Sequence, residues 1–303
     1  MRDQSNELLS AVFAPISLDP AFPVSEPDHQ SRPEVPIEAH VHDCFEIGFC
    51  DGGSGVFIVE NKILPFQAGD AVVINHRELH TMKGSPGSVA AWHFVNLAPA
   101  ALLAGTLRED AAALDTKAFS GHGFNNVLAG GAEPELCHCI KAIIQELLER
   151  RPGHQSVVKA LVWEMLARLG RLKPGGEACA PEPAERRKLE LVAPAIRWIA
   201  RYYHEPIALG TLARKCHYSE SNFRKIFLAA TGYAPRDYVQ RLRLEAAASM
   251  LRGTTESVST IALKTGFPTL SNFNRQFKAH FQLAPGDWRT RGKQKSPGEP
   301  GPC

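Results

Sequence analysis

The sequence predicts an α+β protein: a small antiparallel β-barrel with a helical pair, followed by an all-α module of two helix-turn-helix units. Three observations predict it. Short apolar runs separated by turn signals fill residues 35–97. Apolar residues recur at helical spacing from 135 to 171. From 191 onward the pattern is helical throughout, and the chain repeats itself at an offset of 50 residues.

In chain order, residues 1–34 form an N-terminal arm and 35–130 the barrel, with strands expected at 44–50, 55–60, 71–74 and 89–97. The turn signals Asp51-Gly52-Gly53 and Asn61-Lys62 suit antiparallel strands rather than parallel ones with helical crossovers. Residues 131–172 form a helical pair. Leu136, Ile140, Ile143, Ile144, Leu147 and Leu148 make one stripe; Val157, Val158, Leu161, Val162, Met165, Leu166 and Leu169 make another. Arg151-Pro152-Gly153 separates them. Such stripes cover a barrel or form a dimer seam, and both uses are open. A Pro- and Gly-rich linker is expected over 173–187, a second module over 188–291 and a disordered tail over 292–303.

The overall charge of +2 conceals an asymmetry. Residues 191–291 hold 15 lysines and arginines against 6 acidic residues, a net of +9, while residues 1–190 hold 17 against 25, a net of −8. A basic module behind an acidic front suits a polyanion-binding unit with a separate sensor or assembly domain. No stretch approaches 18 consecutive apolar residues and no export signal is evident, so the expectation is a cytoplasmic protein without a membrane span. The seven cysteines are then reduced thiols. Cys137-His138-Cys139 falls on a helix, where neighbours one and two apart diverge, so buried small side chains are expected there rather than metal ligands.

The repeat aligns Ser221-Asn222-Phe223 with Ser271-Asn272-Phe273, Phe227 with Phe277, and Ala234-Pro235 with Ala284-Pro285. Each copy has a short helix, a turn and a longer helix: Leu209–Lys215 then 220–230, and Val258–Lys264 then 270–280. In that arrangement the second helix enters the major groove of DNA. At 100° per residue, Phe223 and Phe227 anchor the first such helix, and Ser221, Arg224 and Lys225 face outward with Asn222 on the flank. In the second, Phe273 and Phe277 anchor while Ser271, Asn274, Arg275 and Lys278 project, with Asn272 in the position of Asn222. These groups suit base edges and phosphates. Arg224, Lys225, Asn274 and Arg275 are the expected readers; Arg243 and Lys278 are expected on phosphate. A connecting helix over 236–251 spans roughly 24 Å, which with the units' own width could place both readers in successive major-groove segments.

The residues Leu212-Ala213, Phe223, Phe227, Thr231-Gly232, Arg241 to Leu244, Ala247, Leu251, Ile261-Ala262, Gly266-Phe267, Phe273, Arg275, Phe277-Lys278 and Pro285 together resemble the C-terminal module of the AraC/XylS family of transcription regulators. Two positions depart from it. Pro268 follows Gly266-Phe267, and Gln282 stands where a helix-ending glycine is usual; both are expected to bend or loosen the second unit. The front domain resembles the cupin-type sensor barrel of such regulators through His40-Val41-His42, Glu46, Gly53, Gly55, Gly69-Asp70 and His80. In enzymatic cupins, that pattern of two histidines, a glutamate and a distant histidine supplies metal ligands. The resemblance thus marks His40, His42, Glu46 and His80 as a pocket for a small-molecule effector and as a candidate divalent transition-metal site. Trp92 and His93 are further pocket candidates.

The resemblance implies a ligand-responsive regulator, an activator by family habit with a sugar as one effector class, binding double-stranded DNA, dimerising through 135–171 and engaging RNA polymerase. A metal-dependent cupin enzyme with a DNA-binding appendage is the alternative, and an effector-independent architectural DNA binder a third.

Overall fold

The computed structural model describes residues 13–32, 39–104, 116–121, 123–172 and 183–294. Among the described residues the front domain holds eight strands: β1 (Asp28–Arg32), β2 (Phe45–Gly52), β3 (Ser54–Val59), β4 (Lys62–Gln67), β5 (Ala71–Ile74), β6 (His80–Gly84), β7 (Ala90–Leu97) and β8 (Val127–Leu128). They form two antiparallel sheets, ordered β1-β7-β2-β5-β8 and β4-β3-β6. The β2–β3 turn depends on Gly53, whose φ is +78° and whose absent Cβ would lie 2.2 Å from the Val89 carbonyl oxygen. Pro65 cannot donate to a ladder and sits on β4, at the edge of its sheet.

Two helices, α1 (Pro134–Glu149) and α2 (His154–Arg171), cover the outer face of the five-stranded sheet. Ile140, Ile143, Val162 and Leu166 share one core with Ile47, Phe49, Val95 and Leu97. The stripes read from the sequence therefore cover the barrel, leaving Leu148 and Val157 as exposed apolar residues on the pair. Cys137 and Cys139 are buried, and desolvation pushes their thiols up to about 12 and about 11.

The back module comprises α3 (Pro183–Tyr202), α4 (Leu209–Lys215), α5 (Glu220–Thr231), α6 (Pro235–Gly253), α7 (Val258–Lys264), α8 (Leu270–Phe281) and α9 (Pro285–Gln294). Ser219, Ser257 and Thr269 start α5, α7 and α8 by accepting the backbone N–H three residues on. Gly232 ends α5 in the left-handed region, and Gln282 ends α8 in the same conformation at φ +57°. With Pro268 and Gln282 in place, α8 keeps the same 12-residue length as α5.

The module packs on the outer face of the three-stranded sheet. Val56 and Ile58 of β3 and Ile63 of β4 join one hydrophobic cluster with Val192, Ile196 and Ile199 of α3 and with Phe223 and Phe227 of α5. Each fully buried aliphatic side chain contributes about 1.5–3 kcal/mol, so this contact is a continuous core rather than a polar domain boundary. Ser249 of α6 donates to the Phe66 carbonyl at 2.7 Å, and buried Lys83 of β6 donates to the Arg201 carbonyl at 2.6 Å near the end of α3. The Lys83 ammonium also lies 4.7 Å over the Tyr203 ring.

Some expected boundaries shift. Residues 28–32 of the arm pair with β7 as a strand, and 183–187 of the linker already belong to α3. Residues 1–12 of the arm, 173–182 of the linker and 295–303 of the tail lie outside the described residues. Among the described residues, no helix is long and apolar enough to cross a membrane.

Candidate DNA interface and effector pocket

The orientation of each second helix follows from its phenylalanines. Phe223, Phe227, Phe273 and Phe277 are all fully buried. Their burial turns Ser221, Arg224 and Lys225 outward from α5, and Ser271, Asn274, Arg275 and Lys278 outward from α8. Asn222 is exposed, whereas Asn272 is half-buried and accepts from Arg275 Nη2 at 3.2 Å and Gln276 Nε2 at 2.6 Å. Asn272 thereby orients Arg275 rather than standing free.

Arg243 is placed differently from expectation. Its Nε donates to the Tyr203 carbonyl at 2.6 Å and its Nη2 to the Glu205 carbonyl at 2.8 Å. The guanidinium ties the end of α3 to the connecting helix, so its first role is positional. A cleft of about 700 Å³ opens between the two units, and Arg224, Arg236, Gln240, Arg243, Asn272 and Gln276 supply its polar lining, without one acidic side chain. Arg236, Gln240 and Gln276 were not singled out from the sequence, because helical periodicity marks a face but not what two faces enclose together. Among them α6, at roughly 28 Å, holds the two units apart. Its Glu245 pairs with His280 of α8 at 2.9 Å and fastens the second unit to it.

In the barrel, His40, His42, His80 and Glu46 do converge. The backbones of His40 and His80 exchange two hydrogen bonds of 3.0 Å, which fixes both side chains at one end of the barrel. His40 Nε2 lies 3.0 Å from His42 Nε2; Glu46 Oε2 lies 3.1 Å from His42 Nε2, and Glu46 Oε1 3.7 Å from His80 Nε2. His42 Nδ1 sits 2.9 Å from the Ala14 carbonyl and His80 Nδ1 2.9 Å from the Glu78 carbonyl, contacts that only a donated N–H satisfies. Both Nε2 atoms are thereby aimed at the centre. Burial pushes His80 down to about 4. Burial would also lower His42 and raise Glu46, but the hydrogen bond and opposite charges between them win, leaving His42 raised and Glu46 lowered. A ligand atom from each of the three histidines lies within 4.8 Å of the others. The three imidazoles, two of them braced from behind by carbonyls, have the donor chemistry of a divalent transition-metal site, with the Glu46 carboxylate beside His42 and His80.

The surrounding cavity, about 120 Å³, is also lined by Asp28 and Gln30 of β1, Phe57 of β3, Thr81 and Met82 of β6, and Phe94 and Asn96 of β7, with Ile16 from the arm. Trp92 is not among them. It points inward from β7 but is fully buried in an aromatic core, 5.1 Å from Phe57 and 5.0 Å from Phe66 between ring centres. His93 points to the other side of β7, where it meets Asp51 at 2.6 Å and His29 at 3.1 Å. The alternation could have separated these neighbours; Asp28 and Gln30 could not be found because β1 was read as arm.

Paired units with outward polar stripes, joined to a domain with a buried polar pocket, define a DNA-binding regulator with a ligand-binding domain. Comparison with known proteins agrees. An AraC-like ligand binding domain model matches residues 22–166, and a helix-turn-helix domain model matches 212–291. The regulatory protein SoxS of Escherichia coli is 29% identical over 102 residues, covering 34% of this chain and 95% of SoxS. The transcriptional activator RhaS of Pectobacterium carotovorum is 22% identical over 260 residues, covering 84% and 88%. Among solved structures, ToxT from Vibrio cholerae, bound to a naphthalenyl-butenoic acid, is similar at 10% identity and TM-score 0.37, covering 89% of this chain and 99% of ToxT. The DNA-binding domain of AdpA in complex with target DNA matches at 24% identity and TM-score 0.34, covering 36% and 97%. The chain has the domains of an AraC-type transcription regulator, an AraC-like ligand binding domain followed by a helix-turn-helix domain.

Proposed function

We propose that this regulator is an activator whose DNA-binding module is controlled by a small polar ligand in the barrel. The observation that carries this reading is the two-sided use of β3 and β6. Phe57 lines the pocket while Val56 and Ile58 join the module's core on the other face, where β3 packs against the connecting helix α6; His80 and Met82 line the pocket while Lys83 holds the end of α3. A ligand that shifts these strands therefore acts on the connecting helix α6 through β3 and on α3 through β6. A cavity of about 120 Å³ has the volume of roughly four liquid waters. That suits a metal ion or a ligand of few heavy atoms, and a sugar would require the arm to move.

His40, His42, His80 and Glu46 are the residues that would hold a divalent transition metal. When bound, such an ion would supply a Lewis-acidic anchor for an anionic or hydroxylated effector. Arg224, Lys225, Asn274 and Arg275 are the proposed base readers, with Ser221, Asn222, Ser271 and Lys278 on backbone. Cytoplasmic residence, dimerisation through α1 and α2 and engagement of RNA polymerase complete the proposal. The activator name of RhaS and the exposed Leu148 and Val157 support it.

The test is titration of chelator-treated full-length protein with Co2+ or Zn2+, reading melting temperature, the Co2+ visible spectrum and operator affinity. Stoichiometric uptake that raises the melting temperature and changes operator affinity, both lost in His42→Ala, is the expected result. Uptake with unchanged operator affinity would separate pocket from module; no uptake would leave the quartet without a metal role.

A further inference from the structure

We propose that Leu228 is a specificity-determining residue that recognises a thymine methyl group, which makes the two readers chemically unequal. On α5 the outward stripe runs Ser221, Arg224, Lys225, Leu228, at helical offsets of three, four and seven. Leu228 is 51% exposed, a large apolar side chain at the end of an otherwise polar face. It lines the cleft between the units beside Arg224, so it looks toward the same space as a proposed reader. The 50-residue repeat gives the comparison: where α5 carries Leu228, α8 carries exposed Lys278. Fold maintenance requires neither, since in both helices the core contact at this level is made by the phenylalanine one position earlier.

The chemistry selects the ligand. Along the major groove the C5-methyl of thymine is the only apolar group on a base edge. The stripe from Ser221 to Leu228 is roughly 10 Å long, about three base-pair steps of 3.4 Å. Arg224 and Lys225 thus address the middle of the segment and Leu228 its end. Lys278 at the same level of α8 can take only a phosphate or a base acceptor. An operator read this way has a thymine at the far edge of the first segment and no matching requirement in the second, which fixes the direction in which one chain lies on the duplex.

The inference rests on α5 entering the major groove, and the experiment separates the two. An operator is selected from random duplexes with the full chain. Each thymine is then replaced singly by deoxyuridine, which removes only the methyl. Wild type is expected to lose about fourfold in affinity at one thymine of the first segment, the equivalent of one methyl-sized group buried. Leu228→Ala is expected to bind the thymine and deoxyuridine duplexes equally, its fold undisturbed because the side chain is on the surface. If Arg224→Ala weakens binding but no thymine methyl matters, or if the loss persists undiminished in Leu228→Ala, the leucine assignment falls while α5 stays a reader. If neither Arg224→Ala nor any methyl in that segment matters, α5 is not in the groove and both fall.

Discussion

The docking of the DNA-binding module on the barrel can be tested by the sign of a single substitution. Gly253 closes α6, and a Cβ built there would lie 2.9 Å from Ser54 Cβ and 3.1 Å from Ser54 Oγ, across the boundary between the domains. In a helix end facing solvent, Gly253→Ala would gain roughly 0.5–1 kcal/mol from backbone entropy alone. Against the barrel, the methyl must displace a fully buried residue, at a cost of about 1–3 kcal/mol. The expected net is a loss of about 1 kcal/mol in denaturant unfolding of the full chain. Ser54 Oγ has no hydrogen-bond partner among the described residues, so Ser54→Gly removes the obstructing atoms without stranding a partner. Combined with Gly253→Ala it should recover the loss, giving a coupling energy of about 1–3 kcal/mol in a double-mutant cycle. Stabilisation by Gly253→Ala alone, or additivity of the pair, would refute the docked arrangement and with it the strand-mediated control proposed above.

The remaining expectations concern the module itself. Gly232→Ala should cost about 1–2 kcal/mol, because a left-handed φ of +76° is the sole obstacle to a side chain there. The reciprocal Gln282→Gly should raise the melting temperature slightly, relief of strain being partly offset by about 0.4–1 kcal/mol of added unfolded-state freedom. Arg243→Ala should lower stability by about 1–3 kcal/mol through its two lost carbonyl contacts while leaving the salt dependence of DNA binding unchanged. Lys278→Ala should do the reverse, reducing the slope of affinity against salt by about one unit with little effect on unfolding. Arg275→Ala should relax base preference at one position by about 1–3 kcal/mol, and Asn272→Ala should produce a weaker version by releasing the Arg275 side chain.

The module was legible in the sequence almost residue by residue, because two copies of one unit constrain each other: α4, α7 and the starts of α5 and α8 fall where the repeat puts them. The barrel was less so. β4 was lost to Pro65, which is tolerated only because that strand lies at an edge. β6, His80–Gly84, carries few apolar residues and gave no strand signal, although all five are buried. The histidine quartet was found by resemblance and is brought together by the fold, but the orienting carbonyls of Ala14 and Glu78 are backbone groups that no residue pattern announces. Arg243 misled for a related reason: a basic residue on a DNA-binding helix satisfies a helix end and a phosphate with the same donors.

β3 shows what kind of signal was present but unread. A barrel strand with solvent on one side alternates apolar and polar residues, yet Gly55-Val56-Phe57-Ile58-Val59 is apolar throughout, and every residue of β3 is buried. One face meets Trp92 and the pocket wall, and the other meets the DNA-binding module. An unbroken apolar run in an antiparallel strand is therefore a statement that something docks on the outside. In a two-domain regulator that something is the partner domain. Phe57 closes the pocket on one face and Val56 and Ile58 seat the DNA-binding module on the other, so core substitutions in β3 should alter DNA binding and ligand response together. Replacing Ile58, which faces only the module, with Ala leaves the pocket lining intact but removes part of that seat. It should cost about 2–5 kcal/mol as a buried truncation, with the loss of protection in hydrogen exchange concentrated in α6, which packs on β3, rather than around the histidines. Protection lost first around His40 and His80 would mean that the strand does not separate the two faces as its alternation implies.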